Sequence, residues 1–140
     1  MKILFPADGS QYTKKALAFL VTHEGLAGPG GEVVVLNVQA PVPGRVKTML
    51  GSAEVAAYHA EESQKVLAGI ERFLKRHKIA FKTLSAVGSP TAEILRTAKR
   101  EKAHLIVMGT HGHGLFGRAV MGSVAQRVVA DCDIPVLLVK

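Results

Sequence analysis

VMGTHGHGLFGRAVMGSV, residues 107–124, sets five glycines and two histidines directly behind an apolar run at residues 105–108. A run of strand length, then a glycine-rich loop, then Val120, Val124 and Val128 at four-residue steps, reads as strand, loop and amphipathic helix. The same unit repeats along the chain. Residues 3–7, 33–38, 81–87 and 136–139 are further apolar or β-branched runs of strand length. Helical spacing lies between them, in Leu17, Leu20 and Val21, in Val66, Ile70, Phe73 and Leu74, and in Ile94, Leu95 and Ala98. Punctuation agrees: Ser10, Ser52 and Ser89 stand where N-caps belong, Pro90 suits a first helical turn, and Gly25 suits a left-handed helix end.

The resulting order is β-α-β-α-β-α-β-α-β. Regular alternation implies right-handed crossovers, and hence an open, doubly wound, five-stranded parallel sheet with helices on both faces, strand order 3-2-1-4-5. Such sheets take ligands beyond the carboxyl ends of the strands, at the point where the order reverses. The glycine loop follows the fourth strand and therefore opens at that edge. Residues 40–52, rich in Pro and Gly, are the one long irregular connection.

The chain has 140 residues, of which 48% are hydrophobic, enough for one core and one domain over residues 1–140. No apolar run approaches the ~20 residues that cross a bilayer, and MKILFPADGS meets a Pro and an Asp before a signal-peptide core can form. The single cysteine, Cys132, reads as a small packed side chain and fits a reducing compartment; a cytoplasmic protein is expected. A net charge of +7 invites nucleic acid, but Arg72, Lys75, Arg76 and Lys78, and Arg96, Lys99, Arg100 and Lys102, gather where helices end. Aromatics amount to 5% with no Trp, so a nucleic-acid partner is not expected.

Three templates compete for the loop. Gly112, Gly114 and Gly117 match G-x-G-x-x-G, but a dinucleotide fold places that motif in its first unit, with an acid about 20 residues later. Here the chain reaches Lys140 first. Residues 112–119 approach a Walker A loop, yet Arg118 stands for the phosphate-reaching Lys and Ala119 for the magnesium-binding hydroxyl. The third template is Gly109-x-x-Gly112 followed after nine residues by Gly122-Ser123.

On that template the sequence resembles the universal stress proteins along its whole length, through ILFPADGS, LNV, VGSPTAEIL, LIVMGTHG, the Gly-Ser pair and the closing IPVLLVK. The resemblance implies an adenine nucleotide, ATP or its AMP and ADP forms, bound by a G-x-x-G-x(9)-G-[ST] loop, and it implies that Val38 contacts adenine. The chemistry is compatible. Gly109 and Gly112 free backbone amides to face phosphates, while Gly122 and Ser123 open a helix whose unsatisfied amides attract an anion, with the Ser123 hydroxyl able to cap. The crevice would be formed by Pro6, Ala7 and Asp8, Val38, Met108, Gly109, Thr110, His111, Gly112, His113 and Gly114, and then Gly122, Ser123, Val124 and Ala125.

Asp8 either holds ribose or magnesium arriving with ATP, or starts the first helix. His111 and His113 form a His-x-His pair without neighbouring acids or thiols, so no metal site built from protein alone is expected. His113 stands where many universal stress proteins carry Arg or Lys, a departure that weakens phosphate attraction near neutral pH. No general base can be assigned. The expected function is a nucleotide-binding stress-response module or switch with slow or no hydrolysis, the alternatives being a ligand-free adaptor and a slow ATPase. The final strand, from Ile134 to Val139, is an apolar edge without an internal Lys or Pro over residues 136–139, and it is expected to pair with its own copy in a homodimer, as the resemblance also implies.

Overall fold

The computed structural model describes residues 1–111 and 121–140. Five strands, β1 (Lys2–Pro6), β2 (Glu32–Gln39), β3 (Phe81–Val87), β4 (Leu105–Gly109) and β5 (Val136–Val139), form one sheet in the order β3-β2-β1-β4-β5. Every neighbouring pair is parallel. The expected architecture is therefore the observed one, and the order reverses between β1 and β4. Among the described residues no helix is long and apolar enough to cross a membrane.

The alternation of side chains along each strand divides the core into two. Ile3, Phe5, Val33, Val35 and Val107 point to one face, where α1 (Gln11–Thr22) and α3 (Ser52–Arg76) cover them with Ala16, Leu17, Leu20, Leu67, Ile70 and Leu74. Leu4, Val34, Leu36, Ile106 and Met108 point to the other, under α4 (Pro90–Arg100) and α5 (Ser123–Asp131), which supply Ile94, Ala98, Ala125 and Val128. Phe5, Ile3, Leu4 and Ile106 are wholly buried, each contributing about 1.5–3 kcal/mol by leaving water. β1 and β2 are apolar on both sides because both sides are covered. Cys132 packs against the second cluster beyond α5.

Several local expectations need correction. The connection at residues 40–52 is not irregular: it contains α2 (Gly44–Leu50). Ser52 does not cap α3; it is the first helical residue, and Gly51 takes the cap position with φ +84, which only glycine adopts without strain. Gly25 does not end α1 in a left-handed conformation. His23 is the C-cap and Gly25 lies within a short 3-10 turn (Glu24–Leu26), the positive φ angles falling later at Gly28 and Gly30. Ser10 caps α1 as expected, its Oγ accepting from Thr13 N at 3.3 Å. Ser89 holds the cap position of α4 without a side-chain bond, and Pro90 follows in the first turn. Ala7, placed in the first strand by its hydrophobicity, lies beyond β1, although its N–H still donates to Leu36 O at 2.8 Å. Val120 lies outside the described residues.

Candidate functional site

At the carboxyl edge of the sheet the second core does not close. Pro6, Leu36, Val38 and Met108 stand at or near the carboxyl ends of β1, β2 and β4, the first turn of α4 begins with Pro90, and between these and α5 lies a cavity of about 390 Å3. Its lining brings together Pro6, Ala7, Asp8, Val38, Met108, Gly109, Thr110, His111, Gly122, Ser123, Val124 and Ala125, twelve of the fifteen residues expected from sequence. Gly112, His113 and Gly114 lie outside the described residues.

The cavity is built from two unlike ends. Leu36, Val38, Ile94, Met108 and Val124 continue the apolar second core, so one end is a slot between hydrocarbon walls. Asp8, Thr13, Thr110, His111 and Ser123 supply polar groups at the other. Leu36, Thr13, Pro90 and Ile94 also line the cavity and escaped the sequence reading. Leu36 was legible in principle, because it stands two residues before Val38 on the same face of β2. Thr13, Pro90 and Ile94 belong to helices that only the fold brings over the edge.

The β1–α1 turn is fixed by a small network. Asp8 Oδ1 accepts from Ser10 N at 2.9 Å and from Thr13 Oγ1 at 2.7 Å, while Asp8 N donates to Thr13 Oγ1 at 3.1 Å. Asp8 thus starts the helix, one of the two roles open to it, and it does so at the cavity wall. Below it, the buried Asn37 donates from Nδ2 to Ala7 O at 2.9 Å and accepts from Gln39 Nε2 at 2.8 Å. Asn37 is a buried amide following the apolar run of residues 33–36 in β2, satisfied on both ends. It pins the end of β1 to β2, a role that no spacing in the sequence reveals.

Gly109 has a further reason to be glycine besides the expected one. A Cβ there would lie 2.6 Å from Tyr12 Cβ and 3.0 Å from both Tyr12 C and O, so α1 crosses β4 too closely for any side chain. Its φ is not in the left-handed region. Beyond it, Thr110 N donates to Val139 O at 3.0 Å and Thr110 O accepts from Gly122 N at 2.8 Å, so the two flanks of residues 112–120 are tied together and to β5. Thr110 Oγ1 and His111 Nδ1 are 2.9 Å apart, and the His111 ring sits 4.7 Å from Tyr12, whose other neighbour is Lys15 Nζ at 5.4 Å.

α5 starts against the cavity. Gly122, buried, occupies the cap position, and among the described residues no side chain caps the helix; Ser123 is its first residue rather than the cap. The first-turn amides of such an end are not used inside the helix, and with the helix dipole they favour an anion.

The universal stress protein family matches the chain from residue 1 to residue 140. The chain belongs to that family. Among similar relatives, the universal stress protein in the QAH/OAS sulfhydrylase 3' region of Thermus aquaticus is 35% identical over 147 residues, covering 99% of this chain and 97% of that one. The solved universal stress protein MJ0577 of Methanocaldococcus jannaschii superposes with a TM-score of 0.86 at 29% identity, covering 99% of this chain and 94% of the other. The universal stress protein of Archaeoglobus fulgidus, solved in complex with dAMP, shares the fold at 22% identity with a TM-score of 0.72, covering 100% and 98% of the two chains. In this universal stress protein the described residues contain no group of three or more His, Cys, Asp or Glu able to hold a metal ion.

Proposed function

We propose that this universal stress protein binds an adenine nucleotide in the cavity and acts as a nucleotide-dependent module of a stress response, hydrolysing ATP slowly or not at all. The observation that carries the reading is the division of one cavity into an apolar slot and a polar end that meets the uncapped start of α5. A purine is flat and largely apolar on its faces; the slot between Val38, Ile94, Met108 and Val124 suits it. A phosphate suits the first-turn amides of Ser123, Val124 and Ala125, beside Thr110 and His111. The ribose then falls near Asp8 and Thr13. The dAMP complex of the Archaeoglobus fulgidus protein supports an adenine nucleotide as the ligand class.

Magnesium arriving with ATP would be held mainly by the phosphates, with Asp8 the one carboxylate among the described residues of the cavity wall. Its role there is charge neutralisation. The expectation of slow or absent hydrolysis rests on the sequence, in which no general base can be assigned. The homodimer reading rests on the sheet order, which leaves β5 at an edge.

Titration calorimetry with AMP and ATP tests the site. Gly122→Val puts a branched side chain on the cavity wall: binding is expected to vanish while circular dichroism shows the fold retained. Undiminished affinity in that variant would remove α5 from the site, and no heat with the wild-type protein would favour the adaptor reading.

A further inference from the structure

The segment that joins β2 to the body of α3 is attached unusually weakly. Its outgoing root is Gln39, next to Val38 of the cavity wall. Its returning root is Val66, whose Cγ2 lies 3.3 Å from the Cβ position of Gly9, next to Asp8. Between the roots, α2 has no buried residue and no side-chain cap. Met49 is 80% exposed, and Leu50 and Tyr58 about half exposed. The two helices meet at Gly51, and α3 begins without a side-chain cap.

The part of α3 before Val66 buries Val55, His59 and Ser63, four residues apart on one face. Two of these three are polar. His59 Nδ1 and Ser63 Oγ are buried and have no hydrogen-bond partner among the described residues. An unsatisfied buried group disfavours the state that buries it by about 5- to 100-fold in population. Where α3 lies over the sheet the same face carries Leu67, Ile70 and Leu74 instead. One helix therefore has an apolar anchor over the core and a polar, poorly matched face over the first ~20 Å, before Val66 meets the Gly9 turn.

We infer that residues 40–65 form an arm that opens cooperatively from the carboxyl edge while the sheet and the rest of α3 stay folded, and that His59 and Ser63 set how often it opens. Opening lets both side chains reach water and gives up little apolar burial. Because both roots adjoin cavity-wall residues, the arm changes the surroundings of Val38 and Asp8 when it moves. The inference goes beyond nucleotide binding and does not depend on it.

Amide hydrogen exchange of the full-length protein, without nucleotide, tests it. Amides at residues 57–63 are expected to exchange at least about tenfold faster than those at 68–74 of the same helix, and those at 48–50 of α2 to share the faster rate. Ser63→Ala, and separately His59→Leu, should slow the whole arm about 5- to 100-fold and leave 68–74 unchanged. The exposed control Gln64→Ala measures the helix-propensity share, about twofold. Equal protection of 57–63 and 68–74 in the wild-type chain would overturn the inference. So would slowing by Ser63→Ala that grades along α3 without reaching α2, because that is fraying. Exchange unchanged or quickened by both substitutions would show the two groups to be satisfied in the closed state.

Discussion

Gly109→Ala separates two reasons for a glycine at the end of β4. If Gly109 served only to present an amide to phosphate, an added methyl group would weaken nucleotide binding and leave the apo fold untouched. The structure gives it a second duty. The new Cβ would meet Tyr12 Cβ at 2.6 Å and the Tyr12 backbone at 3.0 Å, and backbone atoms cannot swing aside as a flexible side chain can. Overpacking of this kind costs about 1–3 kcal/mol, and the lower entropy of the unfolded alanine chain offsets about 0.4–1 kcal/mol of that loss where the folded backbone is open to Ala. Since Gly109 has an ordinary φ, alanine is tolerated and the entropy term offsets, leaving a net loss of about 1–2 kcal/mol. For a chain of 140 residues that corresponds to a fall in Tm of about 3–7 °C. Calorimetry on the apo protein measures it. The double variant Gly109→Ala with Tyr12→Gly removes the 2.6 Å contact but keeps the two at 3.0 Å, so part of the loss should return as a favourable coupling. An apo Gly109→Ala protein as stable as the wild type, or no recovery in the double variant, would refute the packing argument.

Asn37→Ala leaves Ala7 O without its side-chain donor inside the sheet and should cost about 1–3 kcal/mol in urea denaturation, and Asn37→Asp, which cannot donate, should do no better. For the proposed homodimer through β5, Ile106 N donates to Pro135 O and Thr110 N to Val139 O, so odd-numbered residues of β5 face β4 while Val136 and Leu138 turn their backbone groups to the open edge. Light scattering should therefore find Leu138→Pro monomeric with the sheet intact, whereas Leu137→Pro attacks the β4 pairing and lowers stability first; a Leu138→Pro dimer would place the interface elsewhere. The ion pair of Lys82 with Glu101 holds the Glu101 carboxyl below the usual carboxylate range, first through their hydrogen bond and against some burial. A depressed carboxyl stabilises the fold above its unfolded-state value and loses that effect as pH falls through the depressed one. Lys82→Met should accordingly be less stable than the wild type at neutral pH, the difference narrowing on acidification and vanishing in strong acid.

The alternation of apolar runs with helical spacing carried the architecture, because a run apolar on both sides is stable only between two helical layers, and that arrangement demands parallel strands. The candidate site was legible to the same extent: Asp8, Val38, Gly109, Gly122 and Ser123 sit at strand ends or helix starts, and strand ends converge at one edge of a parallel sheet. Local signals failed where a neighbour distant in sequence decides. Nothing near residue 51 tells that it, rather than Ser52, caps α3, since the helix starts where α2 turns back on it. Gly109 looked like a phosphate residue because glycines cluster after it; that it must be glycine for Tyr12 depends on how α1 crosses β4. Thr13, Pro90 and Ile94 joined the cavity only when their helices were laid on the sheet. Asn37 shows the division at a single position. Its strand was plain from the valines and leucines around it, but an amide buried among them is tolerable only because Ala7 O and Gln39 Nε2 are brought to it, and the first of these comes from 30 residues away. Period and punctuation are local properties of the chain, whereas close contacts and satisfied buried groups belong to pairs of segments, and only folding chooses the pairs.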